Sequence, residues 1–331
     1  MQYRALGRTG IDISAISFGA GPVSGLMTGG ESDRQRAVVE SALEAGINWF
    51  DTAATYGGGR SEASLGQALA ELGAASRVHL ATKVRLLGDD LQDIKRAVQS
   101  SVTDSLKRLR VERITLLQLH NSITSKRDEE PTSLAPQDVL GSGGLLEAFE
   151  KLKAAGIVEH IGLTGIGQPA ALSEVIRSGA FETMQVPYHL LNPSAGQPVA
   201  SSFAETDYGN VIADCAEQRM GVLAIRVFAA GALLGNTPSA HTLKTLFFPL
   251  ELYNRDLSRA TVLSQYLGGW DELRNTAFRF VLSHPHIASA LIGLGDPSHV
   301  AAAVKSMERG RLTAEESTSI ERQIAESVDD S

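Results

Sequence analysis

The sequence has little cysteine, no dense stripe of basic residues and no long apolar run. Its single cysteine, Cys215, excludes an internal disulfide and fits a reducing compartment. A net charge of -8 without a Lys/Arg stripe argues against nucleic-acid binding. No stretch reaches the roughly 18 apolar residues of a membrane span, and the N-terminus lacks the apolar core of a secretory signal. We therefore expect a cytoplasmic protein without nucleic-acid or membrane partners.

What the sequence does contain is typical of a large globular protein. Of its 331 residues, 43% are hydrophobic and 21% are charged, which allows a sizeable buried core. No change of composition or Pro/Gly-rich linker divides the chain. We expect one domain over residues 1–331.

Short apolar runs alternate with longer amphipathic stretches along most of the chain, which predicts repeated βα units. The predicted strands are residues 16–20, 47–51, 78–83, 114–120, 157–163, 183–187, 221–227 and 288–292. The predicted helices are residues 33–45, 61–72, 91–109, 145–155, 169–178, 207–218, 271–283 and 297–308. Eight units favour an α/β fold of the (β/α)8 TIM-barrel type over the alternative, a flavodoxin-like open sheet.

Two further features accompany the predicted barrel. Residues 2–5 and 11–14, joined by a GRTG turn, predict an N-terminal β-hairpin that could plug the bottom of the barrel. Long connections follow three strands, at residues 121–143, 189–206 and 229–260. Loops of that length are usually functional, and all three lie on the C-terminal face, where the active sites of barrel enzymes are found.

Four chemically active side chains follow three successive predicted strands. Asp51, Lys83 and His120 lie at the ends of the second, third and fourth strands, and Tyr56 follows Asp51 by five residues. Each alone has an ordinary structural explanation, such as a helix cap, a solvated cation, a packed ring or a core hydrogen bond. Because neighbouring strand ends in a barrel are close in space, their coincidence favours a catalytic group.

This set of side chains suits proton transfer to a carbonyl oxygen. Tyr56 could protonate a developing alkoxide if a nearby cation, Lys83, stabilised its ionised form. Asp51 would pair with Lys83 and limit the cost of burying its charge. His120 would donate a hydrogen bond to the substrate oxygen. None of these groups supplies a hydride, so a nicotinamide coenzyme is the simplest source.

The sequence resembles the aldo-keto reductases over nearly its whole length. The resemblance is carried by YRALGRTG at residues 3–10, NWFDTAATYG at 48–57, EASLG at 62–66, TK at 82–83 and LH at 119–120. It implies a (β/α)8 barrel that binds NADPH, less often NADH, in extended form. It also implies that Tyr56 is the acid/base, that Asp51, Lys83 and His120 have the roles given above, and that no metal is needed.

The positions that the resemblance assigns to the nicotinamide depart from the family pattern. The usual Ser-Asn pair after the fifth strand is Thr164 followed by Gly165, while the usual Gln after the sixth strand is present as Gln185. Arg226 replaces the usual aromatic ring of the seventh strand, and its planar guanidinium can also stack. An arginine in this segment is similar to the aldose 1-dehydrogenase-like branch, in which sugars are oxidised with NAD.

The segment after the eighth strand leaves the nucleotide preference open. NADP-preferring members carry several basic residues there, whereas this chain has GLGDPSH at residues 293–299. We expect Gly293, Gly295 and the following helix N-terminus to approach the coenzyme. Asp296 would accept a hydrogen bond from a free ribose hydroxyl, and His299 is the one basic side chain in the segment. The family habit favours NADP(H) and these residues favour NAD(H).

The leading interpretation is an oxidoreductase that interconverts a small aldehyde or ketone with its alcohol. Tyr56, His120 and Asn121 are the expected substrate contacts, and the polar residues of the long connections favour a hydroxylated carbonyl such as a sugar. Two alternatives stay open: a cofactor-binding, redox-sensing regulatory subunit of potassium channels on the same barrel, and a phosphate-binding aldolase or isomerase that uses Lys83 as a Schiff base. No pattern predicts the oligomeric state.

Overall fold

The computed structural model of the chain describes residues 1–245 and 248–329. Two strands form a small antiparallel hairpin, and eight parallel strands form a closed barrel. The hairpin strands are β1 (Tyr3–Ala5) and β2 (Asp12–Ser14). The barrel strands are β3 (Ile16–Gly19), β4 (Trp49–Asp51), β5 (His79–Val84), β6 (Ile114–Leu119), β7 (Val158–Thr164), β8 (Thr183–Pro187), β9 (Gly221–Ile225) and β10 (Ile287–Gly293). The predicted (β/α)8 barrel and its N-terminal hairpin are both confirmed.

The barrel closes because each strand pairs with its neighbour in the chain and β10 pairs with both β9 and β3. Most residues of these strands are buried, as expected for a parallel sheet covered by helices. The hydrophobic runs that predicted the strands therefore reflect burial on both faces. The bounds agree with the predicted ones to within two residues.

Helices surround the barrel and alternate with its strands. They are α1 (Ser32–Glu44), α2 (Arg60–Glu71), α3 (Ile94–Leu109), α4 (Pro136–Leu140), α5 (Leu145–Ala154), α6 (Pro169–Arg177), α7 (Val211–Glu217), α8 (Leu250–Leu267), α9 (Trp270–Ser283), α10 (Pro297–Glu308) and α11 (Ala314–Asp329). All eight predicted helices are present, with ends within four residues of those predicted. Within the described residues, no helix is long and apolar enough to span a membrane.

The hairpin covers the N-terminal end of the barrel. Gly7 has φ +54°, and a Cβ there would stand 2.2 Å from the backbone nitrogen of Gly221, the first residue of β9. The guanidinium of Arg8 donates to the carbonyl oxygens of Gly179 and Phe181, at 2.6 and 2.8 Å. Glycine at residue 7 allows this close approach, and Arg8 satisfies carbonyl groups near the start of β8. This end of the barrel is closed, and the opposite end is left for chemistry.

The long connections at the C-terminal end contain more structure than their sequences predict. Helix α4 lies within residues 121–143, and all of residues 250–260 belong to α8. Helix α8 packs on residues 229–234, α9 and α11 around a second small core that contains Leu191, Leu233, Tyr253 and Leu263. The connection 229–260 is thus partly helical, and this helix covers one side of the barrel mouth. Residues 246 and 247 of this connection lie outside the described residues.

Candidate active site

A buried ion pair lies at the centre of the barrel mouth. Asp51 ends β4 and Lys83 is the fifth residue of β5, and their side chains are 3% and 1% exposed. The Lys83 Nζ donates to Asp51 Oδ1 and to the carbonyl oxygen of Thr52, the latter at 2.8 Å. Burial alone would lower the pKa of Lys83, but the Asp51 carboxylate outweighs it and the pKa of Lys83 is raised. The lysine is therefore a fixed cation.

The second carboxylate oxygen of Asp51 is held by two glutamine side chains. Gln118 of β6 donates to Oδ2 at 3.2 Å, and Gln185 of β8 donates to the same atom at 2.5 Å. Side chains from three other strands thus hold one carboxylate, which leaves little freedom for its position. Gln118 was not predicted as a site residue. The sequence feature that could have identified it is a single glutamine within the otherwise apolar run LLQL, two residues before His120.

Tyr56 lies in the turn between β4 and α2, with its ring half-buried. Its hydroxyl is 3.5 Å from Lys83 Nζ, and Nζ lies 5.1 Å from the ring centroid. The residues that follow, Gly57 to Gly59, all have positive φ, and the amide of Gly59 donates to the carbonyl oxygen of Tyr56 at 3.2 Å. The glycines allow a tight turn that returns the tyrosine over the end of β5.

His120 directly follows β6 and packs its ring against Tyr56. The ring centroids are 5.4 Å apart in an edge-to-face arrangement. Burial, helped by the charges of Lys83 and Arg85, holds the pKa of His120 well below its ordinary value, so the imidazole is neutral near pH 7. Its Nδ1 lies 3.2 Å from the hydroxyl of Thr55. The four side chains predicted as a catalytic group are therefore in one place.

The predicted nicotinamide positions lie on adjacent strand ends. Thr164 pairs with Gln185 across β7 and β8, and the Thr164 hydroxyl is buried without a hydrogen-bond partner in the described structure. A Cβ on Gly165 would stand 2.5 Å from the terminal methyl of Met184. It would also stand 3.0 Å from Val186 Cγ1 and 3.1 Å from the carbonyl oxygen of Gln185, so a larger residue at 165 requires these neighbours to move. Gln185 contacts Asp51 instead of leaving its amide free.

Arg226 immediately follows β9 and is largely buried. Its guanidinium stacks on the ring of Phe248, 4.0 Å from the centroid, and lies 3.7 Å from Asp256 Oδ2 of α8. Its backbone has φ +57°, which is uncommon for a residue with a Cβ. Arg226 therefore lies at the barrel mouth, as predicted, with neighbours that the sequence did not indicate.

The segment after β10 forms a compact turn into α10. Gly293 lies beside Ser24, and the Asp296 carboxylate caps α10 by accepting from the Ser298 amide at 2.9 Å. The Ser298 hydroxyl donates to the same carboxylate at 2.7 Å, and this bond, followed by the amide bond and then the nearby charges, lowers the pKa of Asp296. His299 Nδ1 accepts from the amide of Gly295 at 3.3 Å. Asp296 therefore has a structural role, whatever it does for a nucleotide.

Two observations change the expected surroundings of the site. Arg34 of α1 is close enough to contribute to the low pKa of Asp296, so a basic residue from another part of the chain reaches this region. Asn121 is fully buried, and its amide bonds the backbone of Leu86 and the carbonyl oxygen of Thr132, the latter at 2.6 Å. Asn121 thus holds the connection after β6, and nothing in its geometry directs it toward a substrate.

The fold is a (β/α)8 barrel that carries a group of ionisable side chains at the C-terminal ends of its strands. The model of the Aldo/keto reductase family matches residues 15–325, and the chain belongs to that family. D-threo-aldose 1-dehydrogenase from a Pseudomonas species is 30% identical in an alignment of 260 residues that covers 71% of this chain and 71% of that protein.

Two further similarities have different weight. L-galactose dehydrogenase from Arabidopsis thaliana is 32% identical over 167 residues, so the match spans 50% of this chain and 49% of that protein. A solved aldo-keto reductase from Bacillus halodurans, in its holo form, superposes with a TM-score of 0.72 and covers 98% of this chain and 96% of its own. At 24% identity, this last likeness shows the fold alone.

Proposed function

We propose that the protein is an NAD(P)(H)-dependent oxidoreductase that interconverts an aldehyde or ketone with its alcohol. The observation that carries the proposal is the Tyr56 hydroxyl, placed 3.5 Å from a buried lysine and against a neutral histidine at the barrel mouth. In this role Tyr56 gives a proton to the carbonyl oxygen during reduction and takes it back during oxidation.

The neighbours of Tyr56 have distinct tasks in this proposal. Lys83 stabilises the phenolate that remains after proton transfer, and Asp51 holds Lys83 in place through the buried ion pair. When Nδ1 of His120 accepts a hydrogen bond from the Thr55 hydroxyl, the ring hydrogen is on Nε2. The Nε2–H group then donates a hydrogen bond to the substrate oxygen. The low pKa of His120 keeps the ring from acquiring a second proton that would repel Lys83.

The residues on the next strand ends fit a nicotinamide coenzyme, which would supply or accept the hydride. The unpartnered Thr164 hydroxyl is a buried polar atom on β7, and an amide group could satisfy it. Gln185 lies opposite Thr164 on β8. Residues 293–299, with the N-terminus of α10, would bind the nucleotide portion. The family habit favours NADP(H) and residues 293–299 favour NAD(H), so both coenzymes are proposed.

The substrate we propose is a small carbonyl compound, with hydroxylated aldehydes and aldoses first among the candidates. The similarity to D-threo-aldose 1-dehydrogenase and L-galactose dehydrogenase supports this choice. The site itself requires only a carbonyl oxygen that reaches Tyr56 and His120.

Absorbance at 340 nm tests the proposal directly. Aldehydes, ketones and aldoses are offered in both directions with NAD(H) and NADP(H), and coenzyme binding is measured separately by quenching of protein fluorescence. We expect steady turnover with at least one class of carbonyl or aldose. Tight coenzyme binding without turnover would favour the regulatory-subunit alternative. Turnover of a substrate without coenzyme, blocked by borohydride, would favour a Schiff base on Lys83.

A further inference from the structure

A second buried charge cluster lies beside the active site, where the loop after β8, the end of β9 and α8 meet. Its cations are Arg226, which follows β9, and Arg255 and Arg259 of α8. Its carboxylates are Glu205, in the loop after β8, and Asp256 of α8. Glu205 binds both α8 arginines, at 3.1 Å in the case of Arg259.

Arg226 is the incompletely bonded member of this cluster. Within the described part of the chain, its guanidinium donates no hydrogen bond, and its nearest carboxylate oxygen, Asp256 Oδ2, is 3.7 Å away. That distance is too long for a hydrogen bond. The Asp256 Oδ2 atom is itself buried and has no hydrogen-bond partner in the described residues. Two opposite charges thus face each other in a buried place without bonding.

The buried charges of the cluster are unequally bonded. Arg259 and Glu205, each 6% exposed, bind each other, and Glu205 also binds Arg255, whose side chain is 48% exposed; Arg226 and Asp256 are left facing each other. The nearby imidazole of His189 stays neutral because burial and the charges of Arg226 and Arg259 hold its pKa well below its ordinary value. Burial also raises the pKa of Asp256 to about 6, so part of the negative charge is lost in weakly acidic solution. A buried cation that lacks a full partner is costly unless another anion binds to it.

The backbone at Arg226 is also constrained. Arg226, Ala229 and Ala230 all have positive φ, from 47° to 57°, although each carries a Cβ. Left-handed backbone is disfavoured in such residues, so three of them within five positions mark a constrained segment. The register places Arg226 near the catalytic group, since Leu223 pairs with Gln185, the residue that contacts Asp51. Three residues of strand correspond to about 10 Å.

From these observations we propose that Arg226 binds an anionic group at the barrel mouth and that Asp256 is its exchangeable counter-ion in the free protein. The ligand chemistry is a carboxylate or a phosphate, because a guanidinium recognises both through paired N–H donors. The anion can belong to a substrate that also carries the reacting carbonyl or to the coenzyme. This proposal rests on the proposed function for its setting, but anion binding can be measured without turnover.

Calorimetric titration provides that measurement. Succinate represents a substrate carboxylate, inorganic pyrophosphate represents the coenzyme, and 1,4-butanediol is the neutral match for succinate. We expect Arg226→Gln to weaken binding of at least one anion by about 10-fold or more, the scale of a charge-assisted hydrogen bond. Arg226→Lys, which keeps the charge, should retain part of the affinity. If Arg226→Gln loses affinity for succinate alone, the anionic group belongs to the substrate. If it loses affinity for pyrophosphate alone, the anionic group belongs to the coenzyme.

Asp256→Asn supplies the decisive readout because it should improve binding. Removal of the competing carboxylate is expected to tighten the same anion by about 10-fold at pH 7.5. Because succinate and pyrophosphate themselves gain negative charge between pH 5 and 7.5, the test compares the two proteins at each pH: the affinity of Asp256→Asn should be close to that of the wild type at pH 5 and exceed it by about 10-fold at pH 7.5, where Asp256 is ionised. The other charged or titratable groups that face Asp256 are Arg226, Glu205, Arg255, Arg259 and Tyr208; arginine does not titrate in this range, and burial raises the pKa of Tyr208 to about 12.

Two results would overturn the proposal. One is equal affinity of wild type and Arg226→Gln for both anions, and the other is weaker anion binding in an Asp256→Asn protein with a normal circular dichroism spectrum. If the anions bind as expected and no carbonyl is turned over, the proposed catalytic function fails while the anion site stands.

Discussion

Two buried aspartates at the barrel mouth differ in how completely their neighbours satisfy them. Asp51 accepts hydrogen bonds from Lys83, Gln118 and Gln185, which come from three different strands. Asp256 faces Arg226 at 3.7 Å, and its Oδ2 has no hydrogen-bond partner in the described residues. The Asp51–Lys83 pair is fully hydrogen-bonded without a ligand and is called the saturated pair. The Asp256–Arg226 pair can still form hydrogen bonds and is called the unsaturated pair.

The difference separates two functions of buried charge. A saturated pair holds its members at fixed positions, which suits a group that must support Tyr56 in the same geometry at every turnover. An unsaturated pair is a poor source of stability, because the cost of desolvation is not repaid. It is better suited to exchanging one partner for another. The predictions below compare these two roles, from the largest expected effect to the smallest.

Removal of the Tyr56 hydroxyl should show how much catalysis depends on the group that the Asp51–Lys83 pair supports. Tyr56→Phe is expected to lower kcat by roughly 10²- to 10⁴-fold, the usual contribution of general acid/base catalysis, and to leave coenzyme affinity intact. Steady-state kinetics and fluorescence titration measure the two quantities. Tyr3→Phe, which removes a hydroxyl from the hairpin at the closed end, is the matched control and should behave like wild type. Near-normal turnover in Tyr56→Phe would remove Tyr56 from the mechanism.

Breaking the saturated pair should cost stability as well as activity. Lys83→Met leaves Asp51 buried without its cation and is expected to lower the free energy of unfolding by about 3 to 5 kcal/mol. The double variant Asp51→Asn/Lys83→Met should recover much of that loss in urea unfolding but remain impaired in catalysis, with oxidation affected more than reduction at neutral pH. If the double variant restores turnover, Lys83 acts only through stability. An unchanged pH–rate profile in an active Lys83 variant would contradict its support of the phenolate.

The unsaturated pair should respond to pH in the opposite sense to an ordinary stabilising carboxylate. Because burial raises the pKa of Asp256 from 3.8 to about 6, its contribution to stability is full below about pH 4 and is lost as the pH rises through 6. Relative to Asp256→Asn, the wild type is expected to lose about 2 to 3 kcal/mol over that range. Urea unfolding at several pH values measures this difference. Asp271→Asn, which removes an exposed carboxylate of α9, is the control, and a flat difference for Asp256→Asn would contradict the pKa shift.

The smallest predicted effect concerns the nucleotide and a third aspartate, the exposed helix cap Asp296. We expect NAD(H) to be used at a rate comparable to NADP(H) or better. Asp296→Ser with His299→Arg should shift the ratio of dissociation constants toward NADP by about 10- to 100-fold. Serine retains a capping oxygen, so α10 should persist. A wild-type preference for NADP above a hundredfold would indicate other contacts with the 2'-phosphate. Arg34, which lies near Asp296, is then the first residue to substitute.

The course of the fold and the catalytic group could be predicted from local patterns. Apolar runs and helical periodicity repeat eight times, and a parallel barrel places successive strand ends side by side. Asp51, Lys83 and His120 therefore had to converge once the strands were placed. The glycines after Tyr56 predict a tight turn but not that its ring packs against His120.

Helix α8 and the Arg226 environment were not predictable in the same way. The inner face of α8 buries Asp256 and Arg259 among its apolar residues, which weakens the hydrophobic periodicity that marks a helix. The partners of Arg226 come from residues 22 and 30 positions later in the chain, Phe248 and Asp256. No local pattern records such a pairing.

The sequence by itself determined the order of strands and helices, because backbone preference and burial pattern act over a few neighbouring residues. Only the tertiary structure decided which buried charges are satisfied. Gln118 and Gln185 both reach Asp51, whereas Asn121 bonds the backbone of Leu86 and of Thr132. Hydrogen bonding depends on distances of a few tenths of an ångström between segments that are far apart in the chain, and those distances exist only after the barrel has closed.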